Sequence, residues 1–158
     1  MPAKQRPVPA GHSTATPFLV VNDAAEAIDF YTRAFGAKEL MRVEDNGRIS
    51  HAQFRIGNSR FMLSDEHPEA GVRGPRSYGG SPLRIFLYVP NVDTFVGRAI
   101  AVGAKLHQPV DEKRYGDRSG SLEDPFGYTW HVATRRRNLS PEEIQLGSTA
   151  REQAHPAP

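Results

Sequence analysis

The chain has 158 residues, 38% of them hydrophobic and 24% charged, which is enough apolar material for one domain with a core and excludes a disordered protein. Lys and Arg total 20 against 18 Asp and Glu, a formal charge of +2; the sequence pI of about 9.1 reflects Arg-rich ends rather than a basic face, so nucleic acid is not an expected partner. The lack of cysteine excludes disulfides, thiolate metal sites and a cysteine nucleophile, and no run approaches the roughly 18 apolar residues of a membrane span, so a cytoplasmic protein without a membrane partner is expected.

The opening residues, MPAKQRPVPAGHS, lack the apolar centre of a secretory signal, and residues 1–15 read as a loose, disordered arm. Thr16 to Asn22, TPFLVVN, is an apolar run of strand formers bounded by turn residues. Asn22 or Asp23 can cap a helix over Ala24 to Phe35, where Ala27, Ile28, Tyr31, Ala34 and Phe35 recur at helical spacing and Gly36 supplies the stop. Lys38 to Glu44, Arg48 to Ile56 and Arg60 to Asp65 are strand-like, separated by the hairpin signals Asp45-Asn46-Gly47 and Gly57-Asn58-Ser59. Residues 16–66 thus predict a first β-α-β-β-β module.

Residues 67–82, HPEAGVRGPRSYGGSP, are turn-rich and polar, a linker or a mobile flap. The pattern then restarts over 83–136. Leu83 to Val89 reads as a strand and Asn91 to Val102 as a helix with Phe95, Ala99, Ile100 and Val102 on its apolar side, ended by Gly103. Short strands are expected around Lys105 to Pro109 and Ser119 to Glu123, then a turn at Asp124-Pro125-Phe126-Gly127 and a last strand, Tyr128 to Thr134. On that strand Thr129, His131 and Ala133 share one face, while Tyr128, Trp130 and Val132 share the other and should pack on helices. The words Gly36-Ala37-Lys38 and Gly103-Ala104-Lys105 coincide 67 positions apart, marking an internal repeat. In the tail, 137–158, Ser140-Pro141-Glu142-Glu143 has the form of a capping box with Pro at the first helical position, so a short helix near 141–146 is expected, with disorder after Gly147. Arg135-Arg136-Arg137 reads as a solvated run.

Two β-α-β-β-β modules, with VNDAAEAIDFYTRAFGAKEL in the first and YGDRSGSLEDPFGYTWHVAT closing the second, resemble the vicinal oxygen chelate superfamily of glyoxalase I, bleomycin-resistance proteins and extradiol dioxygenases, and within it the PhnB-like branch. The resemblance covers Thr16 to about Arg136. It implies an α+β fold of two tandem modules whose mixed sheets curl into a U-shaped cup around a cavity, commonly in a homodimer. It also implies four metal-ligand positions, on the first and last strand of each module. Carried over, these positions are Thr16, Met62, Arg84 and His131, so only one holds a residue of the expected type. Thr and Met are poor ligands for a hard or borderline dication, and a fixed guanidinium repels one by several kcal/mol at an intermediate dielectric. No metal or other cofactor is therefore expected. A rearranged site drawing on His51, Asp65, Glu66 or His67 has no spacing signature behind it.

The cup's lining then follows by alternation. Arg84, Phe86 and Tyr88 share one strand face, and Thr16, Phe18 and Val20 would line the opposite wall. A buried guanidinium suits a ligand bearing a carboxylate, a phosphate or a planar aromatic system, unless Arg84 pairs internally with Asp117 or Glu123. In Tyr115-Gly116-Asp117-Arg118, Tyr115 can cover a ligand's face, while Asp117 and Arg118 read as turn-fixing residues. The expected ligand-binding set is Thr16, Phe18, Met62, Arg84, Phe86, Tyr88, Tyr115 and His131, with no catalytic residue. The expected function is a metal-independent small-molecule binding protein that sequesters a drug or an aromatic or anionic metabolite; the alternative is a glyoxalase- or dioxygenase-type enzyme with a displaced metal.

Overall fold

The computed structural model describes Met1 and residues 3–154, the last seven of these by backbone alone. It forms two units, 1–80 and 81–158.

In the first unit β1 (Phe18–Val21) leads to α1 (Ala24–Phe35), then β2 (Lys38–Asp45), β3 (Arg48–Ile56) and β4 (Ser59–Asp65), in a sheet of order β1-β4-β3-β2. β1 runs parallel to β4, and the hairpins are antiparallel. β1 starts two residues later than Thr16 because Pro17 has no N–H to give; its carbonyl still accepts from Met62 N at 2.9 Å. Asp23 caps α1 through Glu26 N at 3.1 Å, and Gly36 closes it in the left-handed region at φ 66°. All five expected apolar residues of α1 are buried against the sheet. Phe54 and Phe61 stack on this side with ring centroids 5.0 Å apart, and Tyr31 stacks on Phe54 at 5.3 Å. The Asn46-Gly47 turn has both φ values positive, at 50° and 77°, as a two-residue hairpin requires.

Residues 67–80 are not a free connection. A 3₁₀ turn (Pro68–Ala70) and α2 (Pro75–Tyr78) pack on the first unit, held by one Glu66 carboxylate oxygen that accepts from Gly74 N at 2.8 Å and Ser77 Oγ at 2.5 Å. A Cβ at Gly74 would stand 2.5 Å from the Val20 carbonyl oxygen, so only glycine allows this approach.

The second unit repeats the plan: β5 (Arg84–Tyr88), α3 (Val92–Ala101), β6 (Lys105–Glu112), β7 (Asp117–Glu123) and β8 (Thr129–Arg135), with sheet order β5-β8-β7-β6. β6 and β7 are longer than the sequence suggests. Pro109 is tolerated because β6 is an edge strand with irregular register. α3 buries Val92 and Val96 together with the expected Ala99; Phe95 and Val102 are half-buried, and Ile100 lies exposed at the edge of this stripe. The Asp124 turn is the unit's strongest polar anchor. Its Oδ1 accepts from Phe126 N and Tyr128 N at 2.9 and 3.0 Å, and its Oδ2 from the indole of Trp130 at 2.8 Å, all out of solvent. α4 (Pro141–Ala154) starts at the expected proline, with Ser140 Oγ accepting from Glu143 N at 3.1 Å, and continues past Gly147. Strong helix formers beyond that glycine, Ala150, Arg151, Glu152 and Gln153, explain the continuation. Residues 155–158 lie outside the described set.

The chain is therefore α+β, two tandem β-α-β-β-β modules each with a four-stranded mixed sheet. No described helix is long and apolar enough to cross a membrane.

Candidate functional site

Each sheet has one face packed on its helix and one left open, so alternation decides what the open face carries. On the second sheet, β5 shows Ile85 and Leu87 buried while Arg84, Phe86 and Tyr88 are exposed. Register extends these into rows: Arg84–Thr129–Glu123–Lys105, Phe86–His131–Ser121–Gln108 and Tyr88–Ala133–Ser119–Asp111. Trp130, Val132 and Leu122 point the other way and have no solvent exposure.

His131 sits at the centre. Phe86 stacks parallel to its imidazole, centroids 5.9 Å apart, and Nη1 of Arg84 lies 3.3 Å from its Nε2. A guanidinium can only donate, so Nε2 accepts and Nδ1 carries the hydrogen. Burial, reinforced by the positive charges of Arg84 and Lys113, pushes the His131 pKa down, so the ring is neutral at physiological pH. Arg84 is exposed rather than buried, and it does not pair with Asp117 or Glu123. Glu123 faces His107 at 3.2 Å, and no carboxylate lies within ion-pair distance of Arg84 among the described residues. Its charge is thus unneutralised on the open face.

The other end of the face is closed by a buried acid. Asp117, with no solvent exposure, accepts from Arg135 Nε at 2.6 Å and from the Tyr88 hydroxyl at 2.9 Å, and Arg135 Nη2 donates to the same phenol oxygen at 3.1 Å. Arg135 is exposed along with Arg136 and Arg137, as expected, but its head group is also drawn to Asp117, since a buried carboxylate needs a cation and donors. Its role was invisible in the sequence because the pairing joins opposite ends of β7 and β8. Tyr115 reaches this face too, its hydroxyl 3.4 Å from Ser119 Oγ in the row of Tyr88. Arg118 turns away to a bidentate pair with Asp93, both contacts 2.8 Å. The structure thus brings Arg84, Phe86, Tyr88, Tyr115 and His131 onto one face of the second sheet.

On the first sheet Phe18 and Met62 are strand partners on the open face, and Thr16 lies half-buried just before β1. Gln53 joins them in the row Phe18–Met62–Gln53–Met41. It is buried, accepts from Arg60 Nη1 at 2.8 Å, and its amide nitrogen is 3.1 Å from His51 Nε2. Gln53 and Arg60 escaped sequence reasoning because neither belongs to a recognisable motif.

The residues at the four implied ligand positions do not fit a divalent cation. Thr16 and Met62 offer weak donors, and at the other pair the lone pair that His131 would present is already occupied by Arg84. Asp65 accepts from Ala24 N and Ile49 N at 2.7 and 2.8 Å, Glu66 holds Gly74 and Ser77, and His67 pairs with Glu69 at 3.1 Å, so those side chains have structural uses. Among the described residues no group of His, Asp or Glu side chains converges as a metal site would need. A cavity of about 400 Å³ in the first unit is lined by Asn22, Asp23, Arg48, Asp65 and Glu66 and lies at the ends of that sheet's strands.

Known proteins share this architecture. The chain is 40% identical over 139 residues to the uncharacterized protein Rv0887c of Mycobacterium tuberculosis, an alignment covering 85% of this chain and 82% of that one. The crystal structure of TioX from Micromonospora sp. ML1 superposes with a TM-score of 0.64 at 26% identity, over 78% of this chain and 99% of that chain. The Arabidopsis thaliana protein At5g48480 has a structure with a TM-score of 0.60 at 25% identity, covering 77% of this chain and 96% of that one. FosX, a fosfomycin resistance protein of Listeria monocytogenes, has the same fold at 17% identity, with a TM-score of 0.61 over 84% of this chain and 98% of its own. The family model for the Glyoxalase/Bleomycin resistance protein/Dioxygenase superfamily matches residues 11–132, and the chain belongs to that superfamily.

Proposed function

We propose that this protein binds a small aromatic acid without a metal, on the open face of the second sheet. The observation that carries the reading is Arg84: a permanent cation with no carboxylate partner, fixed by a neutral imidazole and bordered by Phe86 and Tyr88. Charge-assisted hydrogen bonds from a guanidinium to a carboxylate are among the stronger polar contacts, at about 1.5–3 kcal/mol each. The aromatic step supplies the second half of recognition, with Phe86 46% and Tyr88 58% exposed and their rings 5.1 Å apart. His131 Nδ1–H is a further donor for the ligand, and Tyr115 can cover its far side. Such a face holds its ligand and offers no nucleophile or poised acid–base pair, which favours sequestration over turnover.

Isothermal titration with naphthalene-2-carboxylate and naphthalene-2-methanol tests this. The acid should bind at least tenfold more tightly than the alcohol, and Arg84→Gln should remove the difference. Equal affinities, or acid binding that survives the substitution, would refute the reading. Metal analysis of the purified protein addresses the enzyme alternative: a stoichiometric divalent ion whose removal by chelator abolishes ligand binding would favour it.

A further inference from the structure

We propose that the open face of the first sheet carries a site for a compact polyanion of the phosphoryl type, held across the cross-strand row Lys38–Arg55–Arg60. Lys38 is the register partner of Arg55, and Arg55 of Arg60, so the cations lie side by side on β2, β3 and β4. Neighbouring strands are only about 4.8 Å apart, and like charges placed directly opposite destabilise a sheet. Ordinary sheets relieve this with an acid. The corresponding row of the second sheet, Lys105–Glu123–Thr129–Arg84, places no two cations on neighbouring strands and sets a glutamate opposite the lysine, although that carboxylate faces His107. In the first sheet none of the three cations has a carboxylate within ion-pair distance among the described residues.

Arg60 gives the second, independent observation. It is only half-exposed, its Nη1 is committed to Gln53 Oε1 at 2.8 Å, and its Nε is out of solvent with no acceptor. A charged N–H buried without a partner is among the more costly polar defects in a fold. The guanidinium is also held in place. Gly11, at φ 78°, lies so close that a Cβ there would stand 2.8 Å from Nη2, and Gln53 is itself buried and tied to His51. The Nε itself is out of a ligand's reach, but a fixed guanidinium whose charge no carboxylate offsets, with two cations in line beside it, matches a ligand with several anionic oxygens close together.

The row spans two strand spacings, about 10 Å, which suits a diphosphate or an organic phosphate. The next row along the face is Phe18–Met62–Gln53–Met41, where Phe18 and Met41 are exposed apolar surface. An extended nucleic-acid strand would need the positive groove to continue there. A small phosphate ester, its organic part lying on Phe18, fits both rows.

The test is calorimetric titration of the full chain with inorganic pyrophosphate at low salt, with a ten-residue oligothymidylate as the comparison. Pyrophosphate should bind, at least tenfold more weakly to Arg55→Gln and to Arg60→Gln, and unchanged to Lys105→Gln on the second sheet. Arg55 and Lys38 are exposed, so Arg55→Gln and Lys38→Gln remain informative if Arg60→Gln does not fold. Thermal melting adds a readout that a structural role would not give. Without pyrophosphate Arg55→Gln should melt no lower than the parent, because a like-charge neighbour is gone, and with saturating pyrophosphate it should melt lower. No pyrophosphate binding, equal binding by parent and Arg55→Gln, or oligothymidylate binding without pyrophosphate binding would each overturn the proposal.

Discussion

Nη1 of Arg84 lies 3.3 Å from Nε2 of His131, a cation donating to a neutral imidazole across adjacent strands. The pair fixes the histidine tautomer and sets its titration. Burial first, then the charges of Arg84 and Lys113, hold His131 below the ordinary histidine value of 6.5. Below that value the unfolded chain takes up a proton before the folded one does. The contribution of His131 to stability is therefore complete above about pH 6.5 and is lost as pH falls through its folded value. Removing the Arg84 charge should move the His131 titration upward, as should neutralising it with a bound aromatic acid. Imidazole NMR titration of parent and Arg84→Gln checks this, and coincident curves would contradict it.

Linkage extends the same relationship to binding. If an anion on Arg84 raises the His131 pKa, complex formation takes up protons between the free and bound values, and affinity strengthens as pH falls through that window. Titrations in buffers of different ionisation enthalpy should show net proton uptake there, and His131→Gln should abolish it. Buffer-independent heats in the parent would show that ligand and imidazole are uncoupled.

Asp117 should matter for stability more than its position beside a loop suggests. Its buried carboxylate serves Arg135 and Tyr88, and removing it strands a phenol and a guanidinium that were built around it. We expect Asp117→Ala to cost about 2–3 kcal/mol and Tyr88→Phe about 1 kcal/mol, the latter losing one neutral donor to a charged acceptor. Because Arg135 is 46% exposed, its own truncation should cost less than loss of the acid. Urea denaturation measures all three, and an Asp117→Ala variant within 0.5 kcal/mol of the parent, roughly the effect of an ordinary surface change, would contradict the reading.

The Asp124 turn yields the largest expected loss. Asp124→Ala leaves two buried amides and the Trp130 indole without their acceptor, at about 1–3 kcal/mol for each orphaned group, so at least 3 kcal/mol in total. Asp124→Asn retains one acceptor oxygen and should fall between. Trp130 emission should shift to the red in Asp124→Ala as the indole loses its fixed partner and gains water; unchanged emission and stability would contradict this.

Much of this fold was legible because its signals are local and repeated. The α1 stripe, Gly36, the Asn46-Gly47 turn and the alternation of Tyr128 to Thr134 each follow from period or turn chemistry within a few residues, and all appear where expected. The α3 stripe is legible only in part: Ala99 is buried as expected, but Val92 and Val96, not Ile100, complete the buried side. The site was half legible. Alternation alone placed Arg84, Phe86 and Tyr88 together, but the partners that define their chemistry come from register across strands far apart in sequence. Arg135 is exposed with Arg136 and Arg137 as expected, but its pairing with Asp117 is hidden by their separation in sequence, and the Lys38–Arg55–Arg60 row has no sequence signature because its members are separated by hairpins.

The most direct measurement is the affinity of an aromatic acid, naphthalene-2-carboxylate, for the parent and for Arg84→Gln, with Arg84→Lys alongside. Arg84→Gln should bind at least tenfold more weakly at unchanged folding stability, and Arg84→Lys should recover only part of the loss, because an ammonium keeps the charge but not the two-pronged donor. Identical affinities in all three proteins would mean that the unpaired guanidinium beside His131 does not hold the ligand.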